Sequence, residues 1–416
     1  MPGEGVEPSR AEAHGFLRPA RLPIPPSRPD GSRVAARGLP TGLAGLFLLV
    51  AVACTEDISP PGPTAPAVAF LFDGSTSDAE LVTSPALAGL ELAAHEAGAI
   101  EIVPVNVGLG RDEVTASLRS LGGDRGVVAV VVAPWTAPPD GAIELLAAEG
   151  VPVVTLSWAW GPPEEGQGLW ISFVPDRARE AVILLSAAEG LASEGSPLCL
   201  ASDDHLTSRA LLTTTEELGE AAGDPELVMA GIVDAGQAAT ASAVATRIGE
   251  AGCRVLAWIG GTRAAASILN SIPEPPPAVL GTSRMKTDDG LALASFGGPV
   301  FTVCACADVS LSTESRWQRF VHDLQAESGA PPGPLAVEAY DAGRLLIGSL
   351  EGTGGAREAL ASALDDLIRF EGLAGTYAFE TDGSRAPERL PPGIWRAAGS
   401  RWLPRTARAA PQSSPG

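Results

Sequence analysis

The stretch Val127-Val-Ala-Val-Val-Val-Ala-Pro-Trp-Thr136 decides the fold of this chain. Its first seven residues are apolar without a break, and five of them are valines. An alternating pattern would indicate a strand with one wet face, whereas an unbroken run indicates a strand buried on both faces. Such strands belong to parallel sheets that are covered by helices, so the stretch predicts an α/β fold.

Similar short apolar runs occur on both sides of this strand. A first set comprises Ala67–Phe72, Ile100–Val105, Val127–Ala133 and Val151–Ser157. A second set comprises Pro197–Ala201, Leu227–Val233, Val255–Ile259, Ala278–Leu280 and Val300–Cys304. Segments with helical spacing separate the runs, which is typical of βαβ units. The sequence therefore predicts two Rossmann-like lobes with parallel sheets.

Two amphipathic helices are predicted in the last third of the chain. Their apolar stripes follow the i, i+3, i+4, i+7 spacing of a helix that buries one face. The first stripe is Trp317, Phe320, Val321 and Leu324, and the second is Leu360, Leu364, Leu367 and Ile368. A β-like segment at 375–380 and two strands around Trp395 and Trp402 are predicted to follow.

An apolar run near the N-terminus, Gly42–Cys54, predicts export of the protein. The run is too short to span a bilayer, which takes about 20 residues, and Arg33 and Arg37 precede it as in a secretory signal. Its ending, Ala51-Val-Ala-Cys54, resembles the lipobox of bacterial lipoproteins, which implies lipidation of Cys54. An ordinary signal peptide or a buried core helix are the alternatives. We expect a leader and signal over 1–54, a Pro-rich tether over 55–66, and a protein anchored by lipid to the outer face of the cell membrane.

The charge of the chain excludes some partners. The 28 Lys and Arg residues stand against 50 Asp and Glu residues, for a net charge of -22. A protein this acidic is repelled by nucleic acid phosphates, so no nucleic acid partner is expected.

Catalysis, cofactors and metals find little support in the sequence. No G-x-S-x-G nucleophile elbow, dinucleotide fingerprint or HExxH pair occurs, and the four His are scattered, so we expect no enzyme, no cofactor and no metal site. Disulfides are possible in an exported protein. Cys304 and Cys306 are predicted to lie two apart in a strand and not to bridge easily, so Cys199, Cys253, Cys304 and Cys306 are predicted to be mostly buried apolar residues.

Six stretches in order resemble the type I periplasmic binding proteins, in the subfamily that binds the branched-chain amino acids Leu, Ile and Val. They are Ser84–Gly98, Val127–Thr136, Val151–Ser157, Phe173–Asp176, Ala336–Ala342, and Gly372–Phe379 with the following Asp382-Gly383. The resemblance covers roughly residues 66–403. It implies two lobes joined by a hinge, with three chain crossings between them. Lobe one would comprise 67–175 and 305–370, lobe two 176–304 and 371–403, and 404–416 would be a disordered tail.

Candidate ligand residues follow from the ends of the predicted strands, because ligands of open α/β sheets bind beyond the carboxyl ends. The candidates are Ser75, Trp135, Thr136, Ser157, Trp158, Asp204 and Arg263. The resemblance implies that Thr136 and Ser157 hold a ligand carboxylate; as plain turn residues they would cap a helix instead. The tryptophans are either rigid walls of the site or packing residues.

The resemblance fails at one position of the second lobe. In the Leu/Ile/Val binders a carboxylate four residues past a Gly-Gly pair holds the ligand ammonium, but here Gly260-Gly261 leads to Ala265. Arg263 offers a guanidinium for an anion instead, unless it is a surface residue at the start of a helix.

The resemblance implies a solute-binding lipoprotein that delivers a small polar ligand, amino acid-like or a carboxylate, to the permease of an ABC importer. A ligand-sensing or envelope-regulatory module of the same fold, without transport, is the alternative. An exported hydrolase is a third hypothesis, which the missing nucleophile motif disfavours.

Overall fold

The computed structural model describes residues 66–405, apart from 76–78, 99, 109–110, 125, 140, 162–169, 193–195, 223–226, 235, 273–274, 308–313, 355, 381–382 and 385–392. The expected leader, the lipidation site at Cys54 and all but the last residue of the tether lie outside the described residues. Within the described ranges, no helix has the length and apolar character that crossing a membrane requires.

Strands and helices alternate along most of the described chain. The strands are β1 (Ala67–Phe72), β2 (Glu101–Asn106), β3 (Val127–Val132), β4 (Val153–Thr155), β5 (Trp170–Ser172), β6 (Leu198–Asp203), β7 (Leu227–Val233), β8 (Val255–Ile259), β9 (Ala278–Gly281), β10 (Val300–Cys304), β11 (Arg369–Glu371), β12 (Thr376–Ala378), β13 (Gly393–Ala398) and β14 (Arg401–Pro404). The helices are α1 (Ala79–Ala97), α2 (Arg111–Gly123), α3 (Ala142–Ala148), α4 (Arg177–Glu189), α5 (Leu206–Ala222), α6 (Ala238–Ala251), α7 (Thr262–Leu269), α8 (Asp288–Ala292), α9 (Ser315–Ser328), α10 (Ala336–Thr353) and α11 (Arg357–Asp365).

Strands β1 to β5 form a parallel sheet in the order β2-β1-β3-β4-β5. The valine-rich strand β3 lies at its centre, and all six of its residues are buried. Apolar side chains that cover both faces of the sheet explain this burial, because β3 contributes Val128 and Val131 to one core and Val130 and Val132 to another. The sequence prediction of a strand buried on both faces is confirmed.

A second sheet has seven strands in the order β14-β13-β10-β9-β8-β6-β7. Its five parallel strands repeat the order of the first sheet, with β6 in the place of β1 and β7 in the place of β2. Strands β13 and β14 extend the sheet beyond β10 in antiparallel pairing. The prediction of an α/β fold with two lobes of mostly parallel sheet is confirmed.

Each sheet has an apolar core. Two tryptophans that follow strands of the first sheet belong to the core of the second. Helices α1 and α10 pack together on the first sheet, where a Cβ added to Gly89 would lie 2.0 Å from the backbone oxygen of Ala336. Trp135 follows β3 and Trp158 follows β4, yet both lie in the same core cluster as Leu200 and Trp258 of the second sheet.

The structure differs from the expected elements at the end of α11. The helix ends at Asp365, and Ile368 lies beyond it with 76% of its surface exposed. Two consecutive aspartates, Asp365 and Asp366, stand at this C-terminus, where the negative end of the helix dipole disfavours carboxylates. The predicted continuation of the helix through Leu367 and Ile368 is therefore wrong, although Leu367 is half-buried and packs against the core of the first sheet.

The prediction that Cys304 and Cys306 do not bridge is also wrong. Strand β10 ends at Cys304, so the backbone leaves the extended geometry that would hold the two residues apart. Their Cα atoms lie 5.1 Å apart and the sulfurs are bonded, and a second disulfide joins Cys199 to Cys253. The predicted burial of all four cysteines is observed.

Two chain segments near the C-terminus lie elsewhere than the expected boundaries imply. Leu373, Tyr377 and Phe379 pack in the core of the first sheet, although 371–403 was expected to belong to lobe two. Pro404 ends β14, and the Arg405 amide donates to the Ile394 oxygen, so the ordered chain continues past residue 403.

Candidate functional site

The strand order of each sheet predicts a binding region next to its first strand, which is β1 in the first sheet and β6 in the second. In the first sheet β1 lies between β2 and β3, and in the second sheet β6 lies between β7 and β8. The connections leave in opposite directions at such a switch point, which opens a crevice beyond the carboxyl ends of the strands. Asp73 directly follows β1, and Asp203 is the last residue of β6.

The two switch points are joined by a side-chain contact. His205 Nε2 lies 3.1 Å from Asp73 Oδ2, and His205 Nδ1 lies 2.7 Å from the hydroxyl of Thr207. The amide and the hydroxyl of Ser75 both donate to Asp73 Oδ1. Burial raises the pKa of Asp73, but the hydrogen bonds from His205 and Ser75 outweigh it and bring the pKa down to about 2. Asp73 is therefore ionised at neutral pH.

A buried ion pair supports the second switch point. Asp203 Oδ2 accepts from the Gly261 amide at 2.7 Å and from Arg284 Nη1 at 3.3 Å. Arg284 also donates to the hydroxyl of Ser208, and its guanidinium carbon lies 5.9 Å from the centroid of the Trp135 ring. Because Trp135 follows a strand of the first sheet, this cation is a further contact between the residues of the two sheets.

Two indoles and two hydroxyl residues form a compact group after β3 and β4. The rings of Trp135 and Trp158 meet edge to face, with centroids 5.6 Å apart. Ser157 donates its hydroxyl to the Thr136 backbone oxygen at 2.9 Å. The Thr136 hydroxyl and the Trp158 Nε1 are buried, and among the described residues neither has a hydrogen-bond partner. Trp135 adopts φ 60°, a left-handed backbone that a bulky residue rarely takes unless its surroundings fix it.

These indoles line a narrow pocket to which both sheets contribute. Its walls are Trp135, Leu156, Trp158, Val174, Pro175, Glu180, Ser283, Cys304, Ala305 and Leu335. Glu180, in the first turns of α4, is 4% exposed, and burial alone raises the pKa of its carboxyl to about 7. Within the described chain no hydrogen bond or ion pair reaches this carboxyl. Trp158 also lines a second pocket, together with Trp160 and Trp170.

The structure brings four of the seven predicted ligand residues together and leaves three apart from them. Trp135, Thr136, Ser157 and Trp158 are the buried group described above. Ser75, Asp204 and Arg263 are exposed. In the part of the chain that the structure describes, no hydrogen bond, ion pair or ring contact joins these three to the buried group.

Sequence reasoning missed Glu180 and Arg284. The strand-end rule points to Arg284, which follows β9, but the short run Ala278–Leu280 gave no reason to examine its end. Asp176 caps α4 by accepting from the Arg179 amide at 2.7 Å, so the cap signal could have revealed the helix. Nothing in the sequence distinguishes Glu180 from the solvated acids of other helices, because its burial depends on residues far along the chain.

Metal chemistry finds no site in the described residues, since they contain no cluster of three or more His, Cys, Asp or Glu side chains that could hold an ion. The pocket instead combines two aromatic walls, one acidic residue and the unpaired Nε1 of Trp158. Such a combination is suited to binding a small molecule.

Comparisons with known proteins agree with this arrangement. A family model described as periplasmic binding protein matches residues 67–397. No curated protein sequence matches the chain. Among solved structures, an extracellular ligand binding receptor from Desulfohalobium retbaense DSM5692 is similar, with a TM-score of 0.67 and 20% identity over 82% of this chain. This chain covers 59% of that receptor.

Two further structures are similar over their whole length. LivJ from Streptococcus pneumoniae, a branched-chain amino acid transporter substrate binding protein solved with isoleucine, has a TM-score of 0.66 and 16% identity, with 82% of this chain and 100% of that chain covered. A solute binding protein of an ABC transporter from R. palustris, solved with benzoate, has a TM-score of 0.63 and 17% identity, with 82% and 95% covered. At these identities the likeness establishes the fold.

Proposed function

The chain belongs to the periplasmic binding protein family, and from that premise we propose that it captures a small polar solute between its two lobes and delivers it to an ABC importer. The observation that carries the proposal is the pocket to which both sheets contribute. Its walls come from the segments that follow β3, β4 and β5 of the first sheet, and from α4, the turn after β9 and the end of β10 on the side of the second. A ligand there would touch both lobes, which is how binding drives a hinged pair of lobes to close.

The buried group of Trp135, Thr136, Ser157 and Trp158 is proposed as the part of the site that the first lobe supplies. The unpaired Thr136 hydroxyl and Trp158 N–H favour this role, because buried polar atoms without partners are unfavourable unless a ligand or water satisfies them. Ser75, Asp204 and Arg263 are proposed as rim residues. The proposed solutes are amino acid-like molecules and small carboxylates.

The lobes are proposed to comprise 67–175 with 305–370, and 176–304 with 371–403, except that the residues around Tyr377 join the first lobe because they pack in its core. Export and lipid anchoring at Cys54 complete the proposal, with the permease as the partner in the membrane. Replacing Cys54 with Ala is expected to move the protein from the membrane fraction to the soluble fraction. Unchanged membrane association would count against the anchor.

A thermal-shift screen followed by solution scattering tests the proposal. A solute that binds only the native state raises its stability by RT ln(1 + [L]/Kd), so true ligands among amino acids, carboxylates and amines should raise the melting temperature. The bound protein should then have a smaller radius of gyration. A panel in which no solute binds would contradict solute capture. A ligand that binds without compaction would favour a sensor or envelope module over transport.

A further inference from the structure

Glu180 is a buried acid that lacks a counter-ion. It lines the pocket together with Trp135, Trp158, Val174 and Leu335, and is 4% exposed. A carboxylate among apolar side chains is unfavourable unless a cation or several donors pair with it. No such partner reaches Glu180 within the described residues. The site therefore lacks a positive charge, or a strong hydrogen-bond donor, that would pair with the Glu180 carboxylate.

One basic residue close to the pocket, Arg284, already has other partners. Arg284 follows Ser283, which lines the pocket, but its guanidinium donates to Asp203 and to the hydroxyl of Ser208. It also lies over the Trp135 ring, 5.9 Å from the centroid. The indole of Trp135 is thus already in contact with one cation, which agrees with the negative potential of an aromatic face.

The two indoles beside Glu180 suit a cation by their geometry. Trp135 and Trp158 stand at 90° to each other, so they form two perpendicular walls, and both line the pocket together with Glu180. Aromatic walls attract ammonium groups, and the attraction grows when the site is shielded from water. A carboxylate next to such walls supplies the neutralising charge.

We infer that this pocket binds the ammonium group of a small organic amine or quaternary ammonium solute, with Glu180 as its counter-ion and the indoles of Trp135 and Trp158 as its walls. The inference rests on the proposed capture of a small polar solute, and among such solutes it favours those that carry an organic cation over small carboxylates. Binding of the ammonium group would supply the positive charge that the buried carboxylate lacks.

Calorimetry with four probes tests the charge requirement on the full chain. Choline and ethanolamine supply a quaternary and a primary ammonium, 3,3-dimethylbutan-1-ol has the shape of choline without its charge, and benzoate is an anion. We expect at least one of the two cations to bind and the neutral alcohol and benzoate to bind at least tenfold more weakly. Binding of choline but not ethanolamine would indicate that aromatic walls surround the cation. Binding of ethanolamine but not choline would indicate that the ammonium donates hydrogen bonds.

Variants of α4 test the role of Glu180. Glu180→Gln should weaken binding of the cation roughly 10- to 100-fold, because the site loses the negative charge that balances the ammonium. Glu189→Gln, an exposed acid at the end of the same helix, should leave it unchanged. Glu180→Asp keeps the charge on a shorter side chain and should bind the cation more weakly than the native protein but more tightly than Glu180→Gln. If the Gln variant does not fold, the Asp variant tests the role of Glu180 in its place.

The outcomes separate this inference from the proposed function. If a neutral solute or an anion binds tightly while both cations do not, solute capture stands and the ammonium site is overturned. If a cation binds equally well to Glu180→Gln and to the native protein, Glu180 is not its counter-ion. If no solute of any charge binds, both proposals fall.

Discussion

Asp73 and His205 lie at corresponding positions of the two sheets, just after the first parallel strand of each, and their side chains meet at 3.1 Å. The contact joins the two switch points directly. Because Asp73 also accepts two hydrogen bonds from Ser75, its carboxylate is held by both its own loop and the opposite sheet. Acid should therefore weaken the native state through this residue.

The sign of that effect follows from the pKa of Asp73, which is lowered from 3.8 to about 2. A lowered pKa stabilises the native state above the unfolded value and loses this contribution as pH falls from about 4 to about 2. Asp73→Asn should lose about 1 kcal/mol of unfolding free energy at pH 7 and less at pH 3, measured by urea denaturation. Asp204→Asn, an exposed neighbour, is the control. An equal loss for Asp73→Asn at both pH values would contradict the assignment.

Glu180 should act in the opposite direction. Its pKa is raised from 4.5 to about 7, so its contribution to stability is complete below pH 4.5 and decreases as pH rises to about 7. Glu180→Gln should therefore gain stability relative to the native protein between pH 5 and pH 7.5, by up to about 3 kcal/mol. Chemical denaturation of the ligand-free protein at both pH values measures this, with Glu189→Gln as the control. A pH-independent difference would argue that the carboxyl is not buried.

The two disulfides should differ in what they contribute. Cys199 and Cys253 are separated by 54 residues, whereas Cys304 and Cys306 are separated by two. Closing the longer loop restricts the unfolded chain more, by about 4 kcal/mol in the chain-entropy account, against less than 2 kcal/mol for the short loop. The Cys199→Ala/Cys253→Ala variant should melt well below the Cys304→Ala/Cys306→Ala variant. The reverse order would show that packing at the pocket outweighs loop closure.

The contact between α1 and α10 tolerates no added methyl group. A Cβ at Gly89 would lie 2.0 Å from the Ala336 oxygen, so Gly89→Ala should force the helices apart and cost about 1–3 kcal/mol. At Gly348, an exposed position on α10, nothing lies within 4 Å of an added Cβ. Gly348→Ala should instead add about 0.5–1 kcal/mol, because alanine restricts the unfolded chain. Thermal denaturation of the two variants measures the difference. Equal changes in melting temperature would contradict a close contact between Gly89 and Ala336.

Leucine, isoleucine and valine should bind weakly or not at all. The acid that holds their ammonium in the Leu/Ile/Val binders is replaced by Ala265, which is 1% exposed. If their ammonium reached Glu180 instead, the adjacent α-carboxylate would come close to the Glu180 carboxylate and repel it. Calorimetry with the three amino acids measures this. Tight leucine binding would overturn this account of the cleft and restore the amino acid specificity that the resemblance implies.

The sequence predicts the fold well where strands are buried on both faces. β1, β7, β8 and β10 have the predicted bounds, because short runs of almost only apolar residues between polar or turn-forming segments leave little ambiguity. β5 has only three residues, Trp170–Ser172, and was not predicted, since it is too short to show a pattern. The end of α11 was misplaced because the apolar stripe continued past the two aspartates that end the helix.

The candidate site could be predicted only in part. Trp135, Thr136, Ser157 and Trp158 follow from the rule that ligands bind beyond strand ends, since the rule needs only strand positions. The partners of Asp73 and Asp203 could not be predicted, because His205 and Arg284 reach them across 132 and 81 residues of sequence. The burial of Glu180 depends in the same way on walls contributed from both sheets.

The antiparallel strands β13 and β14 make the core of the second sheet one of the last parts of this protein that can fold. β13 borders β10 and β14 borders β13, and the two strands place Trp395 and Trp402 in the core of the second sheet, although they are among the last residues that the structure describes. A chain that leaves a ribosome or a translocation pore from its N-terminus cannot finish that core until β14 has emerged. The core of the second lobe therefore stays incomplete while the chain is being synthesised. Folding of this lobe can be completed only after β13 and β14 have emerged.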